Sequence, residues 1–580
     1  MNLLKFLKEV ENITNVMSKN ELVNFVYDNA RTLPKDKRDA FLYKLSKMQG
    51  GKSENKEAFC ELRNSIYCKY KYIKDKLISI KNGELYLIGY PNEEYNEWSN
   101  SNENEFIYED PQGVVTVIDE ACNLLHQCIH CKEYKIGYEI AKILVGLKIE
   151  VGGQCWDSFW EVPYINELEY YNLGNFNYSK VIVDAMEVTY RVNNLSDRAD
   201  ALYKIIEKSY KNNITFELVM QGEEELPEIE EFLQLWIEYL VNKSSVRAQK
   251  LLKEALELTN SSEVLLKFSR KYYVQHPSLY EQYMINNMNK DDNLLNIGKE
   301  ALRSINKKYV IRSKIALLTS SIALKNGIKD EAERCWLEAF RSNSTVINYF
   351  RLIMECDNFN NIKNEINDIY HSMYPKINKY VSNSSEELRE NLINSTEFYM
   401  LTFLGGEFQY VKEHAMNKRT SLGWSSSFMK CGLAAFLLLL LDTSDLQLGC
   451  KEMCNKIISS IYFNKDEYQI GIRKTIDDSN QEWFWKCFSY WKHLIIISDD
   501  EEDKYLKWIE KLVAKRVKGI IEENYRDYYS ECAAFVAAMG EVIESRGETN
   551  GKQRILLKYK SLYSRRSAFH RELRSFGMKD

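Results

Sequence analysis

The sequence predicts an all-α fold, an α-solenoid of stacked antiparallel helical hairpins. Three observations carry that expectation. Helix breakers are scarce, with 7 Pro and 24 Gly in 580 residues, against average usage of roughly 5% and 7%. Large apolar residues recur at three- and four-residue steps, the spacing that gathers them on one helix face. Helices carrying large residues are followed by helices carrying small ones, so that paired rods can lie close together.

The stretch from Phe232 to Ala255 shows the pattern most clearly. Phe232, Leu235, Trp236 and Tyr239 place four large groups on one face. The polar break Asn242-Lys243-Ser244-Ser245 supplies serines suited to a helix N-cap. Ala248, Leu252 and Ala255 then form the small-residue stripe of a second helix. On these residues the hairpin resembles the tetratricopeptide repeat, although Trp236 stands where that family has Gly and its terminal Pro is absent. The resemblance implies a peptide- or protein-binding scaffold.

Taken in order, residues 1–48 read as a helical unit. Ser18 and Glu21 form a capping box before Leu22, Phe25 and Val26, and Pro34 opens a second helix with Phe41, Leu42 and Leu45. Residues 49–112 read as a linker and a β-hairpin insertion. Gly50-Gly51-Lys52-Ser53 ends in GKS but lacks the preceding strand and the earlier Gly of a phosphate-binding loop. Near residues 84–108, Leu85, Leu87 and Gly89 alternate with Tyr86, Ile88 and Tyr90, and Phe106-Ile107-Tyr108 can pair with them across a polar loop.

Residues 113–375 hold the helical repeats. One copy has Ala121, Leu124, Leu125 and Cys128 followed by Gly137, Ala141 and Leu144. Another has Val183, Met186 and Tyr190 followed by Ala199, Tyr203 and Ile206. A later one has Ala316 and Ala323 followed by Ala332, Trp336, Ala339 and Phe340, and Gly298, Leu302 and Ile305 close a further turn. The spacing does not keep a 34-residue period, so the repeats are degenerate. Each pair leaves an apolar face that only a neighbour can cover.

Residues 376–580 stay helical and lose the repeat signature. Trp483, Trp485, Phe488 and Trp491 form an aromatic stripe. Asp499-Asp500-Glu501-Glu502-Asp503 precedes a helix ending in Lys511, Lys515, Arg516 and Lys518, a polarity that complements the helix dipole; Glu223-Glu224-Glu225 before Pro227 reads the same way. The most apolar run, Cys431 to Leu441, is about half the roughly 20 residues that span a bilayer, so a fully buried helix is expected.

Composition narrows the function. The hydrophobic 45% and charged 28% are ordinary for a globular chain. A net charge of -6 provides no global field for nucleic acid. The opening MNLLKFLKEVENIT turns polar within a few residues, unlike a secretory signal. The 13 Cys are scattered through apolar helical patterns, which fits a reduced, cytoplasmic compartment. The motifs HExxH, GxSxG and GxGxxG after a strand do not occur, and Glu413-His414 lacks a second His. No cofactor and no enzyme activity are expected.

Two stretches compete with the scaffold reading. On a helix spanning Asp119 to Cys131, the residues Asp119, Cys122, His126 and His130 fall on the side opposite Val117, Ala121, Leu125 and Cys128. Two histidines four apart can share a transition metal with Cys122 or Asp119 beside them. Asp119 and His130, however, lie about 16 Å apart along the axis, so a second helix must complete any site. The ordinary alternative is a structural or surface helix.

From Lys552 to Arg574 the chain is strongly basic: Lys552, Arg554, Lys558 and Lys560, then Arg565, Arg566, Arg571 and Arg574, against Glu572 alone. Tyr559, Tyr563, Phe569 and Phe576 are interleaved, and Leu556, Tyr559, Leu562 (or Tyr563), Arg566 and Phe569 step along one helix. Such patterning suits nucleic acid or an acidic partner, while its ordinary reading is a terminal helix with a solvated basic face. The tail YKSLYSRRSAFHRELRSFG resembles the helical ends of bacterial SWIM-type zinc-finger proteins, without their CxC…CxH ligands, so no zinc or DNA role follows. The expectation is therefore a non-enzymatic scaffold with an unknown protein or peptide partner and no membrane, with nucleic-acid association as first alternative and a metal or cryptic catalytic role around His126 and His130 as second.

Overall fold

The computed structural model describes residues 10–32, 41, 54–91, 106–152, 163–374, 386–463 and 479–578, apart from scattered positions within those ranges. The expected second N-terminal helix (Pro34, Leu42, Leu45), the Gly50–Ser53 linker and the polar loop between the strands lie outside the described residues. The chain divides into two compact units, Met1–Val264 and Leu265–Asp580.

The first unit contains α1 (Lys19–Thr32), α2 (Glu54–Lys81), β1 (Leu87–Pro91), β2 (Phe106–Glu109), α3 (Val114–His130), α4 (Tyr134–Leu144), β3 (Val151–Gly152), α5 (Tyr178–Val192), α6 (Leu195–Lys208), α7 (Phe216–Met220), α8 (Ile229–Leu240) and α9 (Val246–Leu258). At the start of α1, the amide of Glu21 donates to Ser18 Oγ and the amide of Ser18 donates to Glu21 Oε2 at 2.7 Å. β1 and β2 pair antiparallel with Gly89 opposite Tyr108. A third strand, β3, joins β1 in parallel with Leu87 opposite Val151, so the order is β2-β1-β3.

The Phe232–Ala255 hairpin forms as α8 and α9, with Ser245 Oγ accepting the amide of Ala248 at 3.1 Å. Phe232, Trp236, Ala248, Leu252 and Ala255 are buried, but Leu235 is 38% exposed. The buried face of α8 is centred on Phe232, Leu233, Trp236, Ile237 and Leu240, which turns Leu235 toward solvent. The preceding pair α5–α6 packs on this hairpin. Tyr203 lies edge-on to Trp236 at 6.4 Å, its hydroxyl meets Ser245 Oγ at 3.0 Å, and Tyr239 donates to Asp200 at 2.9 Å.

Helix α10 (Ser262–Tyr272) runs across the division. The second unit continues with α11 (Ser278–Asn287), α12 (Leu294–Ser304), α13 (Ile311–Lys325), α14 (Lys329–Ser342), α15 (Val346–Glu355), α16 (Phe359–His371), α17 (Ser395–Leu404) and α18 (Phe408–His414). It ends with α19 (Met429–Leu440), α20 (Leu448–Ser460), α21 (Asn480–His493), α22 (Asp499–Glu522), α23 (Tyr529–Ser545), α24 (Gly551–Leu562) and α25 (Ser567–Ser575). Consecutive helices pack as pairs, α13 on α14 most extensively. Ala316, Ala323, Ala332 and Ala339 are all buried there, and Trp336 Nε1 donates to Ser320 Oγ at 3.0 Å. On the other side of α13, Gly298 of α12 faces Thr319, and a Cβ at 298 would collide with that side chain.

As expected, α19 is buried on all sides. Trp483, Phe488 and Trp491 are buried, while Trp485 reaches outward to donate to Ser444 O at 2.8 Å. The acidic run opens α22 with Ser498 and Glu501 as its capping box. That helix continues to Glu522, so its expected terminal cations sit further inside. Arg516 is one of them. It is buried, bonds Glu531 at 2.7 Å and lies over Trp424. Among the described residues no helix is long and apolar enough to cross a membrane.

Two junctions generate tests. At the start of α20, Glu541 accepts the amides of Gly449 (3.0 Å) and Cys450 (2.7 Å) and is paired with Lys552 at 3.1 Å. This contact requires Gly449, because a Cβ there would sit 2.8 Å from the Ala537 carbonyl carbon and 2.9 Å from Ala538 Cα. Backbone cannot yield as a side chain does, so Gly449→Ala should destabilise the protein by about 1–3 kcal/mol, read as a lower urea midpoint.

At the start of α15, the buried Glu397 accepts the amide of Val346 at 2.8 Å. Burial pushes the Glu397 pKa up to about 7 from 4.5, with the Val346 amide opposing. Between those values the folded state holds a proton that the unfolded state releases, so this contribution to stability is complete below pH 4.5 and is lost as pH rises through 7. Replacing the group by Gln keeps the acceptor and removes the titration. The stability of Glu397→Gln relative to the parent should therefore rise by about 3 kcal/mol across that interval, measured by urea unfolding at a series of pH values.

Candidate functional site

On α3, His126 and His130 come together. His126 Nδ1 lies 3.0 Å from Asp184 Oδ2 on α5, and its Nε2 lies 3.1 Å from Nε2 of His130. Lys180 Nζ approaches the same His126 nitrogen at 3.4 Å, where an added cation would meet like charge. Asp119 turns elsewhere to accept the amide of Asn175 at 2.9 Å.

Cys122 is not on the polar side, where a helical wheel puts it. It is 7% exposed, because α3 packs against α2, α4 and α5 and so buries more than one stripe. Burial, reinforced by the Asp119 and Asp184 carboxylates, pushes its thiol pKa well up, the opposite of what a thiolate ligand needs. Among the described residues no group of three or more His, Cys, Asp or Glu is placed to hold a metal ion.

The basic C-terminal stretch is not one helix. It breaks between α24 and α25, and this break folds α25 back on α23, where Phe569 lies edge-on to Tyr529 at 6.0 Å. Much of its charge is used within the chain. Lys552 pairs with Glu541, Arg554 with Glu548 at 3.0 Å and Lys558 with Glu510 at 2.7 Å. Arg566 donates to Asn524 at 3.2 Å, and Arg571 lies 3.9 Å from Glu572. Arg565 and Arg574 are exposed.

A third place, which motif reading does not reveal, is a recess of about 640 Å³ in the second unit. Lys299 and Arg303 line it from one face of α12, Lys307 from the turn that follows, and Arg312 from the first turn of α13. Arg334 and Arg341, seven residues apart and hence on one face of α14, complete the cations. Two acids oppose these six. Glu331 takes Lys299 at 3.2 Å and Arg334 at 2.7 Å. Glu338 takes Arg312 and Arg341, and Arg341 also reaches Glu365 beyond the recess.

Arg312 is 3% exposed in its side chain, and its remaining donors are satisfied by Leu302 O at 2.9 and 3.1 Å and Ser342 Oγ at 3.0 Å. Burial disfavours the charged form of Glu338, yet the Arg312 and Arg341 guanidiniums outweigh it and hold the carboxyl below its usual range. Arg303 and Lys307 are exposed and pair with no carboxylate among the described residues. Cys335 forms part of the wall, its thiol pushed up to about 12 mainly by burial, so it serves as wall rather than nucleophile.

The rim is tied to residues outside the hairpins. Val310 N donates to Arg389 O at 2.9 Å and Asn391 N to Lys308 O at 2.7 Å. Buried Asn391 then donates from Nδ2 to Arg341 O and Ser344 Oγ, both at 3.0 Å. One residue thus links the end of α14, through its side chain, to the turn that carries Lys307, through its backbone amide. The assembly can hold an anion, with charge, fork-shaped donors and a fixed frame.

The successive helix pairs make this an all-α helical repeat protein. No family profile matches the chain, and no curated protein matches it. Among solved structures it is similar to a chain described as a "Circular tandem repeat protein with novel repeat topology and enhanced subunit contact surfaces", at 9% identity and a TM-score of 0.15 over 96% of this chain and 97% of that one. At that score the likeness carries no argument.

Removing Glu338 would leave Arg312 as a buried cation without its carboxylate. Glu338→Gln should therefore cost about 3 kcal/mol, measured by urea unfolding, whereas Arg303→Gln at the exposed rim should change stability by less than about 0.5 kcal/mol.

Proposed function

We propose that this chain is a non-enzymatic protein-interaction scaffold built on tetratricopeptide-like helix pairs, with the recess between α12 and α14 as the seat for an anionic feature of its partner. The observation that supports this reading is the charge surplus. Six lining cations, less Glu331, Glu338 and the flanking Glu365, leave three positive charges around about 640 Å³. A frame of packed helices presents those charges at fixed spacing, which lowers the ordering cost of binding.

Pull-down of the full chain from its source cells at native expression should recover a stoichiometric protein partner. The Arg303→Glu/Lys307→Glu variant should recover less than about a tenth of it, since reversing two rim charges opposes an anionic ligand. Recovery of the chain without a partner, or full recovery by the double variant, would count against the proposal.

A further inference from the structure

We infer that the occupant of the α12–α14 recess is a cluster of phosphate groups rather than carboxylates; this rests on the reading of the recess as a ligand seat and goes on to the chemistry of what sits there. The argument is one of charge density. A recess of about 640 Å³ lies within the roughly 300–1,000 Å³ range of small-ligand sites. Three surplus positive charges would need three carboxylates, each with its own carbon and linker. Two phosphate monoesters, at about −1.5 to −2 each near neutral pH, supply the same charge in less space.

The donors fit as well. Four of the six cations are Arg, and three of them, Arg303, Arg334 and Arg341, keep exposed or half-buried guanidiniums whose planar fork can meet two oxygens of one phosphate. Arg341 is held in position by Glu338, which the buried Arg312 anchors in turn, and Arg334 is paired with Glu331, so less of the lining has to be ordered on binding. Among the described residues Arg303, in the last turn of α12, and Lys307, on the turn braced by the Asn391 and Arg389 backbone, stand at the rim without carboxylate partners. A phosphorylated segment of the protein partner and a free oligophosphate share this chemistry, and titration separates them.

The test is isothermal titration of the full chain with four probes: inorganic tripolyphosphate, a doubly phosphorylated hexapeptide, citrate and hexaglutamate. A phosphate probe should bind one per chain, at least about tenfold more tightly than citrate or hexaglutamate, and should weaken steeply with added NaCl. The Arg303→Glu/Lys307→Glu variant should lose at least about tenfold in that affinity while keeping the parent far-UV circular dichroism and urea midpoint. Tighter binding of the phosphopeptide than of tripolyphosphate assigns the phosphates to the partner's segment, and the reverse order assigns them to a free oligophosphate. If citrate or hexaglutamate matches the phosphate probes and is lost in the double variant, the seat stands and the phosphate inference falls. If no probe binds, or the variant binds all of them as the parent does, both fall.

Discussion

The structure depends on small residues where touching helices cross. Two helices approach only as closely as the residues between them permit, and axes about 8–10 Å apart require small groups at the crossing. Ala316 and Ala323 on α13 and Ala332 and Ala339 on α14 supply them in the most extensive pair, with Trp336 filling the space alongside. Gly298 against Thr319 and Gly449 against the backbone at Ala537 and Ala538 take the principle to its limit. Because the crossing points are small, the large residues interdigitate beside them, and each pair is left with a face that the next pair must cover. The local rule that makes a hairpin therefore also makes the stack within each unit.

That rule is periodic, which is why so much of the fold was legible in the sequence. The α8–α9 hairpin, the Ser245 cap, the fully buried α19 and the β1–β2 pairing follow from spacing and residue type alone. What was illegible depends on neighbours. Leu235 satisfies the helical step as well as Leu233 does, and only the position of the adjoining pair decides which is buried. Cys122 lies on the polar side of an isolated wheel, and three packed helices around α3 bury it. The break before α25 has no Gly or Pro to announce it; it is stabilised by Phe569 and Leu573 reaching the core beside α23.

The recess was hidden for a related reason. Lys299, Arg303 and Lys307 step by four, and Arg334 and Arg341 by seven, yet cations at such spacings line the solvated face of many helices. Their meaning appears only when α12 and α14 flank α13 and point two such faces at one space. The C-terminal stretch shows the converse. Its cations are conspicuous in the sequence, but Lys552, Arg554 and Lys558 each meet a carboxylate of their own chain. Charge written along a sequence and charge offered to a ligand are different quantities, and the fold decides how much of one becomes the other.

Within the recess the regular and irregular parts of the chain have separate tasks. Helix pairs supply walls and set the distance between the two cationic faces, but a hairpin alone leaves its connecting turn free to move. Here the backbone at Arg389 and Asn391 bonds the turn at Lys308 and Val310, and the Asn391 side chain holds the far end of α14. A group that lies outside the repeat register thus braces the rim at Arg341, one of the partners of Glu338. Like charges brought together in this way repel, and the repulsion is tolerated because packing elsewhere fixes the frame. Glu331 and Glu338 offset part of that repulsion within the recess, and the rest falls on Arg303 and Lys307, which face solvent at its rim.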